Sequence, residues 1–113
     1  MLVYKILRAD EWAALRADGA SDGSPADRAD GFIHLSTAAQ APGTAAKHFA
    51  GETDLILVAL DSQALGDDLR WEESRGGEDF PHLYRQLTTD DVIWWKPLPL
   101  TGHDSHAFPE EME

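Results

Sequence analysis

The sequence predicts an α+β domain built on a split, mostly antiparallel β-sheet with two helices in its N-terminal half. Three observations lead there. Leu55-Ile-Leu-Val-Ala-Leu60 is an unbroken apolar run of strand length, as expected of a central strand covered on both faces. Residues 3–7, 32–36, 69–74, 82–87 and 92–98 are shorter strand-like stretches bounded by turn-forming residues. Helix signals, by contrast, fall only between residues 10 and 51.

Val3-Tyr-Lys-Ile-Leu7 opens the chain as a strand. Asp10 is placed to cap a helix whose apolar stripe is Trp12 and Leu15 and whose stop is Gly19. Residues 18–31, rich in Asp, Gly, Ser, Ala and Pro, read as an exposed connecting loop. After the 32–36 strand, Thr37-Ala-Ala-Gln40 has capping-box spacing, with Thr37 accepting from the Gln40 amide while Gln40 reaches back. Pro42 predicts a break or kink just past that first turn, with the helix resuming to about Phe49 and ending at Gly51. Residues 1–101 form the expected single domain. Residues 102–113, with His103, His106 and a high share of carboxylates, are expected to be a solvated, mobile acidic tail.

Composition narrows function by exclusion. The 113 residues support one domain and one core. Nine Lys and Arg against 21 Asp and Glu, a net charge of −12, disfavour a nucleic-acid partner, since such partners are bound by concentrated positive charge. A small anion held where a few basic groups converge is still compatible with an acidic exterior. There is no cysteine, hence no disulfide, thiolate metal site or thiol nucleophile. No apolar run reaches the roughly 20 residues of a membrane span, and the N-terminus has no secretory pattern. The expectation is a soluble cytoplasmic protein with a small-molecule partner and no membrane partner; its oligomeric state is left open.

Two segments carry the chemistry: Asp30-Gly-Phe-Ile-His-Leu-Ser-Thr37 and Arg75-Gly-Gly-Glu-Asp-Phe-Pro-His-Leu-Tyr84. Residues two apart share a face of a strand. Ile33 and Leu35, then Leu83, are therefore expected in the core, with Phe32, His34 and Ser36, then His82 and Tyr84, on the opposite face. His34 and His82 should look into one cleft with Arg75 at its rim. His34 precedes a helix start, where Ser36 and Thr37 offer hydroxyls and amides suited to an anion. Gly76 and Gly77 let backbone amides approach a ligand, and Arg75 is suited to a bidentate grip on phosphate or carboxylate. Glu72 either faces the cleft to orient a histidine or sugar hydroxyl, or forms an exposed pair with Arg70 or Arg85. Tyr84 either stacks on a ligand ring or roofs the core. Pro81 holds the chain extended ahead of His82. Trp94 and Trp95 are read as packing, and His48 as a favourable cation at a helix C-terminus. His103 and His106 lack a third ligand nearby, and no metal site is expected.

These motifs, with Lys47-His-Phe49 and Leu69-Arg-Trp-Glu72, resemble the DUF952 family of uncharacterised bacterial domains over roughly residues 3–98. The resemblance implies a fold similar to ADP-ribosyltransferases, a split antiparallel sheet around an NAD-binding cleft, nearest to the branch with two histidines and an apolar third position. It implies that His34 binds a ribose hydroxyl and that His82 is the second histidine, with Tyr84 on the same face. Glu72 or Glu78 would then stabilise a developing cation. NAD becomes a candidate substrate, with no certain cofactor. The alternatives are a non-catalytic sensor of a small anionic metabolite and a His34/His82/Glu72 metal hydrolase. The classical transferase glutamate has no certain counterpart in the apolar 92–95 stretch, which sets the expected chemistry apart from protein modification.

Overall fold

The apolar run at residues 55–60 becomes the middle of a sheet. In the computed structural model, which describes residues 1–112 and only the backbone of Arg75, β4 (Leu55–Asp61) lies between β1 (Leu2–Arg8) and β8 (Val92–Leu98), antiparallel to both. A second antiparallel sheet sets β6 (Asp79–Leu83) between β3 (Ile33–His34) and β5 (Leu69–Glu73). The two sheets meet at a single bridge, where Tyr4 and Ser36 exchange backbone hydrogen bonds of 2.7 and 2.9 Å. The molecule is thus α+β and mostly antiparallel, with its sheet pinched beside His34.

Alternation along β1 and β4 supplies two cores. Val3, Leu7, Val58 and Leu60 face one side, where Trp12, Leu15, Ile33, Leu35, Leu83 and Leu87 join them. Tyr4, Ile6, Leu55, Leu57 and Ala59 face the other, with Ala45 and Leu98. Helix α1 (Ala9–Asp18) covers the first core and α3 (Ala41–His48) the second. Each fully buried leucine contributes roughly 1.5–3 kcal/mol through removal of its apolar surface from water.

Helix boundaries depart from the sequence expectation for local reasons. Helix α1 starts two residues before Asp10 would cap it, because the Glu11 carboxylate accepts from the Arg8 N–H at 2.8 Å; Gly19 ends it in the left-handed region as expected. The Thr37–Gln40 capping box forms in both directions, at 3.0 and 3.2 Å, but closes a turn of its own. Pro42 then falls within the first turn of α3, where its missing N–H costs nothing, so it opens the helix instead of breaking it.

The largest departure is residues 18–31. This stretch forms β2 (Ala20–Ser21), paired with β7 (Leu87–Thr88), and α2 (Pro25–Asp30). Ser24 caps α2, Pro25 opens it, and Gly31 closes it at φ +85. A one-turn helix, α4 (Ser62–Leu65), also follows β4. At the C-terminal end, β9 (Leu100–Thr101) pairs with β10 (Ser105–His106). Phe108 and Met112 pack on the second core, and His106 Nε2 lies 2.9 Å from the Glu52 carbonyl. Through residue 112, the segment expected to be a solvated tail is therefore docked by apolar side chains that its carboxylate-rich composition obscured.

Leu57 is fully buried between both neighbouring strands. Its replacement by alanine is expected to cost roughly 2–5 kcal/mol, read as a lower midpoint in urea unfolding with an unchanged slope.

Candidate functional site

The alternation in the first motif holds. Ile33 and Leu35 enter the core, while His34 faces the other way and stands directly opposite His82 in the β3–β6 register. The imidazoles meet edge to face with ring centroids 5.5 Å apart. Phe32 stacks on His82 at 4.1 Å and tilts against His34 at 4.7 Å, which fixes both rings.

Behind His34 lies a group the sequence reading placed in an exposed loop. Asp27, on α2, is 1% exposed and receives four donors. Lys5 Nζ is 2.8 Å from Oδ2, which also accepts from the Ser24 N–H at 2.9 Å. The His34 N–H and ring Nδ1 reach Oδ1 at 3.1 and 2.6 Å. Burial alone would raise this carboxyl. The His34 hydrogen bond, the Lys5 charge and the Ser24 amide together outweigh burial and hold it well below the usual carboxylate range. Lys5, itself buried, also donates to the His34 carbonyl at 3.0 Å, so one ammonium ties β1 to α2 and to the strand bearing His34.

The other nitrogen of His34 also meets a carboxylate, with Nε2 2.9 Å from Asp30 Oδ2. Each ring nitrogen of His34 thus faces a carboxylate oxygen, Asp27 on one side and Asp30 on the other.

His82 is held differently. It is 4% exposed, and its Nδ1 lies 2.8 Å from Glu72 Oε1, which also accepts from the Tyr84 hydroxyl at 2.6 Å. Glu72 contacts a histidine without facing the cleft, while Arg85 pairs with Asp91 and Arg70 sits over the Tyr84 ring at 4.6 Å. The Tyr84 hydrogen bond, then that of His82, lowers the Glu72 carboxyl, and the same Glu72 contact raises the Tyr84 phenol. With Nδ1–H given to Glu72, the neutral His82 ring carries its lone pair on Nε2.

His34 and His82 line a cavity of about 450 Å³, together with Lys5, Arg8, Lys47, His48, Ser36, Thr44, Tyr4 and Phe80. Ser36 Oγ bonds Thr44 Oγ1 at 2.9 Å. The Ser36 and Thr37 amides, expected to take an anion, are already used, the first by Tyr4 across the sheet junction and the second by Gln40. Glu72 stands behind His82, outside the cavity lining, and Tyr84 lines a neighbouring cavity with Phe32. Gly76, Gly77 and Glu78 belong to the hairpin turn between β5 and β6, away from the lining of either cavity. Both glycines adopt positive φ, 70° and 77°, with open space where a Cβ would sit, so turn geometry alone accounts for them. The expected place of the Arg75 side chain lies outside the described residues. Among the described residues no three His, Asp or Glu side chains converge as metal ligands, and no helix is long and apolar enough to cross a membrane.

The sequence reading missed Lys5, Asp27, Asp30 and Lys47. A signal existed for the first three. Ser24-Pro-Ala-Asp27 is a capping box with proline at the first helical position, and Gly31 is its stop. Lys5 shares strand parity with Val3 and Leu7, a core-facing position that calls for a buried counter-charge.

A family model described as "Protein of unknown function (DUF952)" matches residues 6–95. The X-ray structure of protein CC0527 from Caulobacter crescentus is 48% identical, covers 95% of this chain and 94% of its own, and superimposes with a TM-score of 0.91. A solution NMR structure of CC0527 is 52% identical over 88% of this chain and 86% of its own, with a TM-score of 0.80. No curated protein matches.

Replacing Asp27 with asparagine leaves the Lys5 ammonium buried without a counter-charge and is expected to destabilise the fold by about 3–5 kcal/mol at neutral pH. The folded-state carboxyl is depressed from an ordinary 3.8, so its contribution is complete above that value and is lost as pH falls below it. Urea unfolding at pH 7 and pH 3 checks this: the gap between wild type and Asp27→Asn should narrow at the lower pH.

Proposed function

The chain belongs to the DUF952 family, and from that premise we propose that it binds a small phosphate-bearing molecule of the nucleotide or ADP-ribosyl class in the His34–His82 cleft and acts on it by acid–base chemistry. The observation that carries this is a pair of carboxylate-held imidazoles, directly opposite on neighbouring strands, opening into one cavity. That cavity is less acidic than the chain as a whole, with three Lys and Arg against two Asp in its lining compared with nine against 21 overall, which favours an anionic ligand. A volume of about 450 Å³ falls within the roughly 300–1,000 Å³ of ordinary ligand sites and accommodates a mononucleotide-sized group.

The two histidines take different roles. His34, held through Nδ1 by Asp27, positions an oxygen of the ligand with its other ring nitrogen; in the ADP-ribosyl reading that oxygen belongs to ribose or phosphate. His82, oriented by Glu72, presents Nε2 as the group that takes or returns a proton. Glu72 is a positioning residue, steadied by Tyr84. Glycosidic cleavage of an NAD-like molecule passes through a cationic sugar, which a positioned ribose and a nearby negative potential favour without a strong nucleophile. The ADP-ribosyltransferase resemblance implies a split antiparallel sheet around an NAD-binding cleft, and the two antiparallel sheets beside the His34–His82 cavity support that reading. A binding-only sensor is the second reading, favoured by the contacts that both His34 nitrogens already make with carboxylates.

Titration calorimetry with ADP-ribose, NAD and nucleotide monophosphates, run beside an NAD-consumption assay, tests the proposal. His34→Ala should weaken ADP-ribose binding by roughly 1–3 kcal/mol through loss of its hydrogen bond to the ligand. Glu72→Gln should lower turnover by at least about tenfold with little change in binding, as expected for a group acting through the proton-transfer residue. Binding without turnover in wild type selects the sensor. Absence of both with every nucleotide probe overturns the reading.

A further inference from the structure

Asp30 touches the part of His34 that a ligand needs. The first contact of His34, Nδ1 to Asp27, is short and buried, with the carboxylate 1% exposed and the ring locked between Phe32 and His82. The second contact differs in kind. Asp30 Oδ2 meets Nε2 at 2.9 Å from a side chain that is 54% exposed, at the last residue of α2. Gly31 follows at φ +85, its N–H bonded to the Asp27 carbonyl, so the backbone there is held while the Asp30 side chain stands more than half exposed. Asp30, His34, Lys47 and Arg8 all line the same cavity. Arg8 is neutralised by Glu52 at 2.8 and 3.0 Å, whereas Lys47 is exposed on the last turn of α3.

We propose that the Asp30 carboxylate occupies an oxyanion subsite, standing where a phosphate or carboxylate of the ligand binds His34 Nε2, and that the ligand enters by displacing it. This deepens the reading above and rests on it for the location of the site. Three features support an oxyanion over a neutral hydroxyl. A carboxylate oxygen already fills the position at hydrogen-bond distance. The ring there meets a carboxylate oxygen at each nitrogen, Nδ1 at 2.6 Å and Nε2 at 2.9 Å. Lys47 supplies further positive charge in the same lining. The built-in carboxylate then acts as an internal competitor that weakens binding of poorly matched anions and is repaid only by a ligand with additional contacts in the cavity.

The test measures binding of inorganic phosphate, acetate, ribose and ADP-ribose to wild type, Asp30→Asn, Asp30→Ala, His34→Ala and the His34→Ala/Asp30→Ala double variant. Imidazole resonances observed by NMR and calorimetry provide the readouts. Removing the competitor should tighten phosphate or acetate binding by roughly 2- to 5-fold, the scale of a partly exposed ion pair. The anion with the larger gain identifies the source, and the gain should vanish in the His34→Ala background. In free wild type the His34 Nε2–H should exchange with water more slowly than in Asp30→Ala. An equal gain for ribose, a gain that persists without His34, or no gain at all overturns the subsite. If wild type binds ADP-ribose and the Asp30 variants bind the anions no tighter, this inference fails while the proposed site stands. If no variant binds any probe, both fall.

Discussion

The buried ion pair between Lys5 and Asp27 is the contact on which the rest of the site depends. An ammonium and a carboxylate, both nearly sealed from water, carry a desolvation cost of several kcal/mol each, offset only when every lone pair and proton is matched. Here the matching is dense. Asp27 takes donors from Lys5, Ser24 and both donors of His34, and Lys5 gives a second hydrogen bond to the His34 carbonyl. Those bonds join β1, α2 and β3 beside the single bridge where the two sheets meet. The pinch that opens the cleft and the charges that line it therefore have one origin.

The same pair explains why two histidines on adjacent strands differ. His34 sits on the side stiffened by charge, bracketed by two acids. His82 sits on the hairpin side, with one carboxylate behind it and Phe32 across its face. A single electrostatic environment would have made the two rings interchangeable. Their different settings follow from which element supplies each carboxylate: a short helix in one case, the neighbouring strand in the other.

Much of this was legible along the chain. Strand alternation put Ile33 and Leu35 inward and His34 outward, the 55–60 run marked the central strand, and Thr37 and Gln40 announced their own capping box. What failed was reading by composition. Residues 18–31 look like a connector because Asp, Gly, Ser and Pro dominate, yet Ser24, Pro25, Asp27 and Gly31 stand at the cap, first-turn and stop positions of a helix. The C-terminal stretch was judged by its carboxylates, while Phe108 and Met112 decide where it goes. The glycines after Arg75 suggested close approach to a ligand; their left-handed geometry serves the turn. Lys5 could have been found only by asking what a lysine does at a core-facing position, and its partner lies 22 residues away across a turn, a strand and a helix.

The hairpin of β5 and β6 gives the two halves of the site different topological reach. Glu72 meets His82 and Tyr84 across separations of 10 and 12 residues, so closing one tight turn brings all three together. The Lys5 contact to the His34 carbonyl spans 29 residues and needs β1 docked against the rest of the sheet. Loop-closure entropy grows with separation, and low contact order favours early pairing. The Glu72–His82–Tyr84 cluster is in this sense a local module that assembles from its own segment, while the Lys5–Asp27–His34 cluster comes into being only with the complete fold. A loosened N-terminal strand would undo the second and leave the first standing.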